Sequence, residues 1–250
     1  MNEELVSIIM PAYNCEKFIE QTINSVLNQS HANWELIIVD DCSTDDSAKI
    51  IKKYAVQDKR IRYFKNNRNS GAAVSRNKAI EQATGRFFAF LDSDDLWRED
   101  KLKKQIEFMQ INNYAFTCTT YDKIDENNIS LNRVINADEK SNYHRLLKKC
   151  PGNSTVMYDV SVLGKHFIPN IKKRNDYVMW LQIIKKAKYI YGMQEVLGSH
   201  RICKVSLSAN KKSLIKYHWY VYRKIERLSF SYSAYLIIYW VLKSLLKFQK

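Results

Sequence analysis

The first hundred residues alternate short apolar runs with segments whose apolar positions recur at helical spacing. The runs have the length of buried strands; they are Leu5–Ala12, Trp34–Val39, Ile61–Phe64 and Phe87–Leu91. The segments between them, 18–27, 43–54 and 72–83, have the spacing of amphipathic helices, and Ser43 or Thr44 is suited to cap the second one. Strands and helices that alternate at this period predict an α/β fold, with a mostly parallel, Rossmann-like sheet flanked by helices.

Beyond Asp95 the alternation loosens. Strands are predicted at Tyr114–Tyr121 and Asn153–Tyr158, and helices at Leu102–Ile111 and Tyr177–Ala187. The polar region 122–150 has no pattern from which a helix or strand can be predicted. Residues 213–250 predict a C-terminal helical extension of one or two helices.

Three of the predicted strands close on a polar cluster at the carboxyl end. The clusters are Pro11, Ala12, Tyr13 and Asn14 at the end of the first strand, Asp40 and Asp41 after the second, and Asp92, Ser93, Asp94 and Asp95 after the fourth. Because a parallel sheet brings these ends to one rim, where ligands of open α/β sheets bind, the three clusters predict one binding site.

The third cluster holds three carboxylates within four residues. Such carboxylates repel one another unless a cation lies among them, and Mg²⁺ or Mn²⁺ commonly binds one or two carboxylates together with substrate phosphates. A structural alternative is that the aspartates form turns and caps ahead of a helix over 96–111. The same alternative holds for Asp40 and Asp41 ahead of the second helix.

Charge is distributed unevenly. Residues 1–139 hold 18 Lys and Arg against 22 Asp and Glu, whereas residues 140–250 hold 22 against 4, so the net charge of +14 divides into −4 and +18. The basic part suits nucleic acid, anionic lipid or a phosphate-bearing substrate.

The five cysteines are scattered without a CxxC pair, which predicts reduced thiols rather than disulfides or a zinc site. An acidic N-terminus that leads directly into a strand is not typical of a signal peptide, so a cytoplasmic location is expected.

The tail from 232 to 248 combines aromatic and aliphatic residues with Lys243 and Lys247. Its apolar run of nine residues, 234–242, is too short to span a bilayer. Aromatic residues beside lysines suit a helix that lies on the anionic inner face of the cell membrane. Packing on the protein's own core, or on a second subunit in an oligomer, is an equal alternative.

Four motifs in order resemble those of family 2 glycosyltransferases of bacterial surface-polysaccharide synthesis. They are Ser7–Asn14, Ile38–Asp45, Gly71–Asn77 and Leu91–Asp95, with weaker continuations at Asn175–Leu181, His200–Arg201 and Ser206–Ser208. The resemblance implies the A-type glycosyltransferase fold, with a nucleotide-sugar-binding half (1–98), an acceptor-binding and catalytic half (99–212) and a helical tail (213–250). It also implies a UDP-sugar donor, a glycan or lipid-linked acceptor, inversion at the anomeric carbon, and Mn²⁺ or Mg²⁺ as cofactor.

The resemblance also implies roles for single residues. Asp41 accepts a hydrogen bond from uracil, and the turn Pro11–Asn14 lines the nucleoside pocket. Arg76 lies near the base or the diphosphate, and Arg201 adds positive charge there. Asp92, Ser93 and Asp94 contact the nucleotide, with Asp94 and Asp95 as metal ligands, and Asp176 is the general base; a cap of the helix over 177–187 is its structural alternative.

The chain departs from the family at three positions. Asn175 stands where an acidic residue usually precedes the catalytic aspartate, His200 where a tyrosine is frequent, and Cys203 where a histidine is frequent. His200 is therefore expected to pack or to form hydrogen bonds rather than to bind metal.

Other functions agree less well with the sequence. A receiver-type signalling module has no role for residues 92–95, and receivers are about half this length. A non-catalytic nucleotide-binding module is a further alternative. A metal-dependent nucleotidyltransferase normally has a glycine-rich phosphate loop near its N-terminus, and no glycine precedes Gly71. No nucleic-acid-binding motif accompanies the basic charge, so no nucleic-acid partner is expected.

Overall fold

A computed structural model of the chain describes residues 4–171, 173–203 and 211–246. The strands are β1 (Val6–Ala12), β2 (Trp34–Asp40), β3 (Ile61–Lys65), β4 (Phe87–Phe90), β5 (Leu96–Trp97), β6 (Phe116–Ile124), β7 (Ser130–Ile135), β8 (Lys140–Asn142), β9 (Met157–Asp159) and β10 (Tyr189–Arg201). The helices are α1 (Ile19–Leu27), α2 (Ser47–Gln57), α3 (Ala72–Gln82), α4 (Lys101–Asn112), α5 (Tyr143–Lys148), α6 (Val160–Leu163), α7 (Asn175–Ala187), α8 (Lys211–Tyr220) and α9 (Phe230–Leu246).

The described strands form one sheet with the order β3-β2-β1-β4-β9-β6-β10-β5, to which β7 adds beside β6 and β8 beside β10. The first four strands in this order are mutually parallel, as the sequence pattern predicts. Beyond β4 the pairing is mixed, because β9 runs antiparallel to both of its neighbours while β10 is parallel to β6. The α/β fold class is confirmed, and the mostly parallel character belongs to the half that contains β1 to β4.

Helices cover both faces of the sheet. Every residue of β1 and β2 is buried, because helices lie above and below these central strands. One core contains apolar residues of α1, α2 and α4, and the other contains those of α3, α5 and α7. In the second core Trp180 of α7 packs edge-on against Phe90 of β4, with ring centroids 4.9 Å apart. This packing fixes the start of α7 beside the carboxyl end of β4.

Several predicted boundaries are wrong. Residues 153–155 form a 3₁₀ turn, and the strand begins only at Met157. α2 begins at Ser47 after Asp46, so neither Ser43 nor Thr44 caps it. The short strand β5 separates Asp95 from α4, so the cluster at 92–95 does not cap that helix. The sheet continues across residue 98, and the division into halves at 98 and 212 stays a prediction.

The C-terminal extension consists of two helices, as expected. A π-helical turn, Val221–Ile225, follows α8, and α9 returns across it. One face of α9 is buried, with Ser233 and Leu236 almost inaccessible. No helix in the described part of the chain is both long and apolar enough to cross a bilayer. Packing on the protein's own core is therefore one role of this segment, while its opposite face is exposed.

Candidate active site

The loops after β1 and β2 are bonded to each other at the carboxyl rim. The side chain of Asn14 accepts a hydrogen bond from the backbone N–H of Thr44 (2.9 Å), and the N–H of Asn14 donates to the Ser43 hydroxyl (3.1 Å). Asn14 and Cys42 both have positive φ angles, of 45° and 65°. A non-glycine residue rarely adopts this conformation, and such strain is concentrated at functional sites. Tyr13 is exposed on the rim, while Pro11 and Ala12 are buried beneath it.

The two aspartates at the end of β2 have different roles. Asp40 is fully buried; its carboxylate accepts hydrogen bonds from the Ser43 N–H (2.8 Å) and the Tyr63 hydroxyl (3.0 Å), so it forms the turn that the structural alternative describes.

Asp41 instead holds the loop before α3. Its carboxylate accepts hydrogen bonds from the Asn66 amide and from the N–H groups of Ser70 and Gly71.

Gly71 has φ +90°, a conformation that side-chain-bearing residues rarely adopt. Glycine here allows its N–H to lie 2.6 Å from the Asp41 Oδ2. The sequence pattern places Asp41 on the rim but gives no sign of its partner Asn66, which lies 25 residues further along the chain.

Asp95 is directed into the protein. Its side chain is 1% exposed and accepts hydrogen bonds from the Ser154 hydroxyl and from the backbone N–H of Arg201 (3.0 Å). His200 Nδ1 lies 3.2 Å from the same carboxylate, and the negative charge of Asp95 raises the pKa of His200 to about 9. His200 is thus the hydrogen-bonding residue that the sequence predicts. Asp95, whose oxygens already have donors within the protein, is a poor candidate for a metal ligand.

Asp94 lies next to Asp95 but is only partly buried. Desolvation, followed by the nearby charges of Asp95 and Asp92, raises the pKa of Asp94 to about 7. Cys203 Sγ lies 3.9 Å from the Asp94 carboxylate, a weak contact. A carboxylate that receives no strong side-chain donor from the described residues and is crowded by like charge fits a divalent cation. Within the described ranges, no three His, Cys, Asp or Glu side chains form a metal-binding group.

Arg76 connects this cluster with α7. It is buried, and its guanidinium donates to the Asp92 carboxylate (2.6 Å) and to the Asn175 side-chain oxygen (2.7 Å). Burial nevertheless raises the pKa of Asp92, with the charges of Asp95 and Asp176 adding to the effect. Asn153 also donates to Asp92 (2.8 Å). Arg76 therefore holds the start of α7 against the carboxylates instead of extending into open space.

Asp176 lies in the first turn of α7, close enough to Asp92 for their charges to interact. The helix begins at Asn175 with Arg174 as N-cap, so Asp176 does not cap it and the structural alternative is wrong. Its carboxylate is partly accessible and accepts no hydrogen bond from the residues that the structure describes. A helix N-terminus favours a negative charge at this position.

Arg201, at the end of β10, forms hydrogen bonds to the protein with each of its three guanidinium nitrogens. It is 2% exposed, and its guanidinium donates to the carbonyl of Asp94 (2.7 Å) and to the side chains of Asn128 (2.6 Å) and Gln21 (3.0 Å). This geometry differs from the expected contact with a diphosphate: Arg201 fixes the backbone of the 92–95 turn. Ser206–Ser208, the last of the weaker motif continuations, and the basic residue Lys204 lie outside the described residues.

Some residues of the site carry no sequence signal. Asn153 and Ser154 are predicted only as the start of a strand, yet they donate to Asp92 and Asp95, respectively. Gln21, in α1, contacts Arg201 from 180 residues away in the chain. Only the tertiary fold brings these residues to the aspartates.

Comparisons with known proteins show the family of the chain. The profile described as Glycosyl transferase family 2 matches residues 7–168. A protein of Bacillus subtilis (strain 168), TuaG, which is named for glycosyl transfer in teichuronic acid biosynthesis, is 46% identical over 235 residues, 94% of this chain and 93% of that protein. WfgD of Escherichia coli, named UDP-Glc:alpha-D-GlcNAc-diphosphoundecaprenol beta-1,3-glucosyltransferase, is 40% identical over 221 residues, 88% of this chain and 85% of that protein.

Solved structures share the fold. TarS 1-349 of S. aureus, in complex with UDP-GlcNAc, matches with a TM-score of 0.74 at 20% identity over 95% of this chain and 71% of that chain. The mannosyltransferase PcManGT of Pyrobaculum calidifontis, in complex with GDP-Man and Mn²⁺, matches with a TM-score of 0.64 at 16% identity over 90% and 64%. The profile match and the close relatives together establish that this chain belongs to glycosyl transferase family 2 and is a glycosyltransferase with the A-type fold.

Proposed function

We propose that the protein transfers a sugar from a UDP-sugar, with inversion, to a hydroxyl of a glycan or lipid-linked acceptor in bacterial surface-polysaccharide synthesis. The names of TuaG and WfgD support the pathway class and a lipid-diphosphate acceptor, and TarS structures contain UDP or UDP-GlcNAc. The observation that carries the proposal is the convergence of Asp41, Asp94 and Asp176 at one rim, each with a different environment.

The donor nucleoside binds between the 11–14 turn and Asp41. Three donors from the protein hold the Asp41 carboxylate in place. A carboxylate has about four acceptor sites, so one is left for the N–H of the uracil ring. Because the loop before α3 supplies two of the three donors, Asp41 is fixed before the nucleotide binds.

The diphosphate binds at the 92–95 turn. The residues present fit a divalent cation held by Asp94, which would supply positive charge for the leaving UDP. Asp95 and Arg201 hold this turn from the inside, through the Asp95 carboxylate and the Asp94 carbonyl. Arg76 neutralises part of the charge of Asp92 and ties the turn to α7. These contacts keep Asp94 in one position.

Asp176 is the general base. The acceptor hydroxyl has a pKa far above neutrality, so a positioned carboxylate must accept its proton as the oxygen attacks the anomeric carbon. The new C–O bond forms on the face opposite the UDP, the bond to the UDP oxygen breaks, and UDP leaves with that electron pair. The Asp176 carboxylate is suited to this role because it has no competing donor among the described residues.

Replacing Asp176 tests the proposal. Asp176→Asn keeps the size of the side chain but removes the proton acceptor, so turnover should fall by ~10²-fold or more while UDP affinity stays nearly unchanged. The assay measures UDP release from UDP-glucose and UDP-N-acetylglucosamine with a lipid-diphosphate-linked N-acetylglucosamine acceptor. The matched control is Glu195→Gln, an exposed acid on β10 that should leave turnover unchanged. Near-normal turnover by Asp176→Asn, measured with a sugar donor that the unmodified chain uses, would exclude Asp176 as the general base.

A further inference from the structure

The exposed face of α9 carries a stripe of apolar side chains. Tyr235, Ile238 and Leu242 are 47%, 58% and 55% exposed, respectively. Their spacing of three and four residues places them on one side of the helix. The opposite side packs on the protein, where Leu236 is buried and the Trp240 ring lies 5.1 Å from that of His218. Tyr235, Ile238 and Leu242 lie outside the hydrophobic core on which α9 packs, and we refer to these three residues as the outer stripe.

Lysines lie among the aromatic rings beside the outer stripe. Lys148 Nζ, from α5, donates to the Tyr235 hydroxyl (3.0 Å) and lies 5.0 Å and 5.5 Å from the ring centroids of Tyr235 and Tyr239. Lys243 lies over the Tyr239 ring at 5.7 Å. Amphipathic lysine and tyrosine side chains next to exposed aliphatic ones are typical of helices that lie at a membrane interface.

Few acidic groups offset this charge. Residues 140–250 hold 22 Lys and Arg against four Asp and Glu. The acid of the extension, Glu226, has a side chain that is only 1% exposed and pairs with Lys185 at 2.7 Å. It also accepts a hydrogen bond from the Tyr143 hydroxyl. Glu226 is therefore engaged inside the protein and does not neutralise the outer face.

We infer that the outer face of α9 docks on an anionic lipid surface. Its apolar stripe would enter the boundary between headgroups and acyl chains, and its lysines would contact the lipid phosphates. A second copy of the chain on the same face would bring lysines against lysines, whereas anionic headgroups complement them. The outer face contributes no residue to the rim that contains Asp41 and Asp94, so the inference does not depend on the transfer reaction.

Vesicle flotation of the full chain tests this inference. Vesicles of phosphatidylcholine alone are compared with vesicles of phosphatidylcholine and phosphatidylglycerol, at low and high salt. The protein should float with the anionic vesicles at low salt and lose binding at high salt, since exposed charges are screened beyond about 8 Å at physiological ionic strength. Ile238→Ser with Leu242→Ser should lower the partition coefficient at least about tenfold, a change of about 1.4 kcal/mol.

The matched control replaces two apolar residues on other helices that are even more accessible than Ile238 and Leu242. Val56 and Ile111 are 86% and 80% exposed on α2 and α4. Val56→Ser with Ile111→Ser should bind vesicles like the unmodified chain, and UDP affinity of both double variants should stay normal, which separates docking from donor binding. Unchanged flotation of the Ile238/Leu242 variant would overturn the inference. So would failure of the unmodified chain to float at low salt; a dimer by light scattering that this variant abolishes would then assign the stripe to a second copy.

Discussion

Asp94 and Asp95 are adjacent in the chain but lie in opposite environments. Asp95 faces inward to Ser154 and to the N–H of Arg201. Asp94 faces the rim with a pKa raised to about 7, mainly because of desolvation. Of these two carboxylates, Asp94 is therefore the one whose charge is unfavourable. Adding a divalent cation there would relieve it, whereas at Asp95 the cation would have to displace hydrogen bonds that the protein already makes.

This difference gives a prediction for metal-dependent donor binding. Asp94→Asn should abolish the gain in UDP affinity on adding Mn²⁺, which we expect to be at least about tenfold in the unmodified protein. Titration calorimetry of UDP with and without Mn²⁺ measures it. Glu107→Gln, an exposed acid on α4, is the control and should keep the full gain. If Asp94→Asn keeps the gain as well, Asp94 is not the metal ligand.

The sequence locates this cluster but does not distinguish its members. The motif at 91–95 and the strand before it predict where the carboxylates lie, because strand ends of a parallel sheet share a rim. Which aspartate is buried depends on Ser154 and His200, residues 59 and 105 positions away from Asp95. Local pattern contains no information about such contacts. The same reason explains why Arg201, predicted near the diphosphate, proves to be a buried support of the 92–95 turn.

At the scale of elements, α7, α8 and α9 meet around a buried histidine. The ring of His218 lies 5.7, 5.6 and 5.1 Å from the rings of Tyr177, Tyr222 and Trp240. Both of its ring nitrogens are buried without a hydrogen-bond partner among the described residues. The hydroxyls of Tyr177 and Tyr222 both donate to the carbonyl of Leu147. This cluster fastens the C-terminal extension to the helix that carries Asp176.

The cluster predicts acid sensitivity. Burial, with a smaller contribution from Arg174, lowers the pKa of His218 to about 3 from the value of 6.5 expected when it is exposed. The unfolded chain thus binds a proton more readily, so the stabilisation is complete above about pH 6.5 and is lost as the pH falls towards 3. His218→Phe removes this titration. Between about pH 7.5 and about pH 5 the variant should lose about 2 kcal/mol less free energy of unfolding than the unmodified chain.

Urea unfolding at both pH values measures the effect. His144→Phe, an exposed histidine on α5, is the control and should follow the unmodified chain. The rise in the pKa of His200, which acts in the opposite direction, is common to all three proteins and cancels in the comparison. Equal losses for His218→Phe and the unmodified chain would show that His218 titrates normally in the folded protein.

The elements differ in how far the sequence predicts them. The strands β1 to β4 are predicted because a strand covered on both faces reads as a continuous apolar run. The sequence pattern does not predict β10, although this strand carries His200 and Arg201. It contains Gly192, Gly198 and several polar residues, and its register with β6 shifts twice. Such a strand has neither a continuous apolar run nor a regular alternation, so its pairing is visible only in the folded sheet.

At the scale of the whole molecule, one sheet runs through both proposed halves, residues 1–98 and 99–212. β9 pairs with β4 on one side and with β6 on the other, and β5, within the first half, pairs with β10 in the second. Arg76 adds a side-chain connection between α3 and the start of α7. With a continuous sheet and shared cores, we expect the two halves to unfold together rather than as separate domains.

Donor binding should therefore stabilise the whole chain in one step. At a UDP concentration about 100 times its Kd, binding to the folded state alone adds about 2.7 kcal/mol. For a chain of this size that corresponds to a rise in Tm of about 5–10 °C. Calorimetric melting with UDP and Mn²⁺ should show a single transition that moves upward as a whole, with Mn²⁺ alone and ADP with Mn²⁺ as controls that shift it less. A melting curve with two transitions, of which only one responds to UDP, would contradict this coupling, because the half that binds the donor would then unfold independently of the half that carries Asp176.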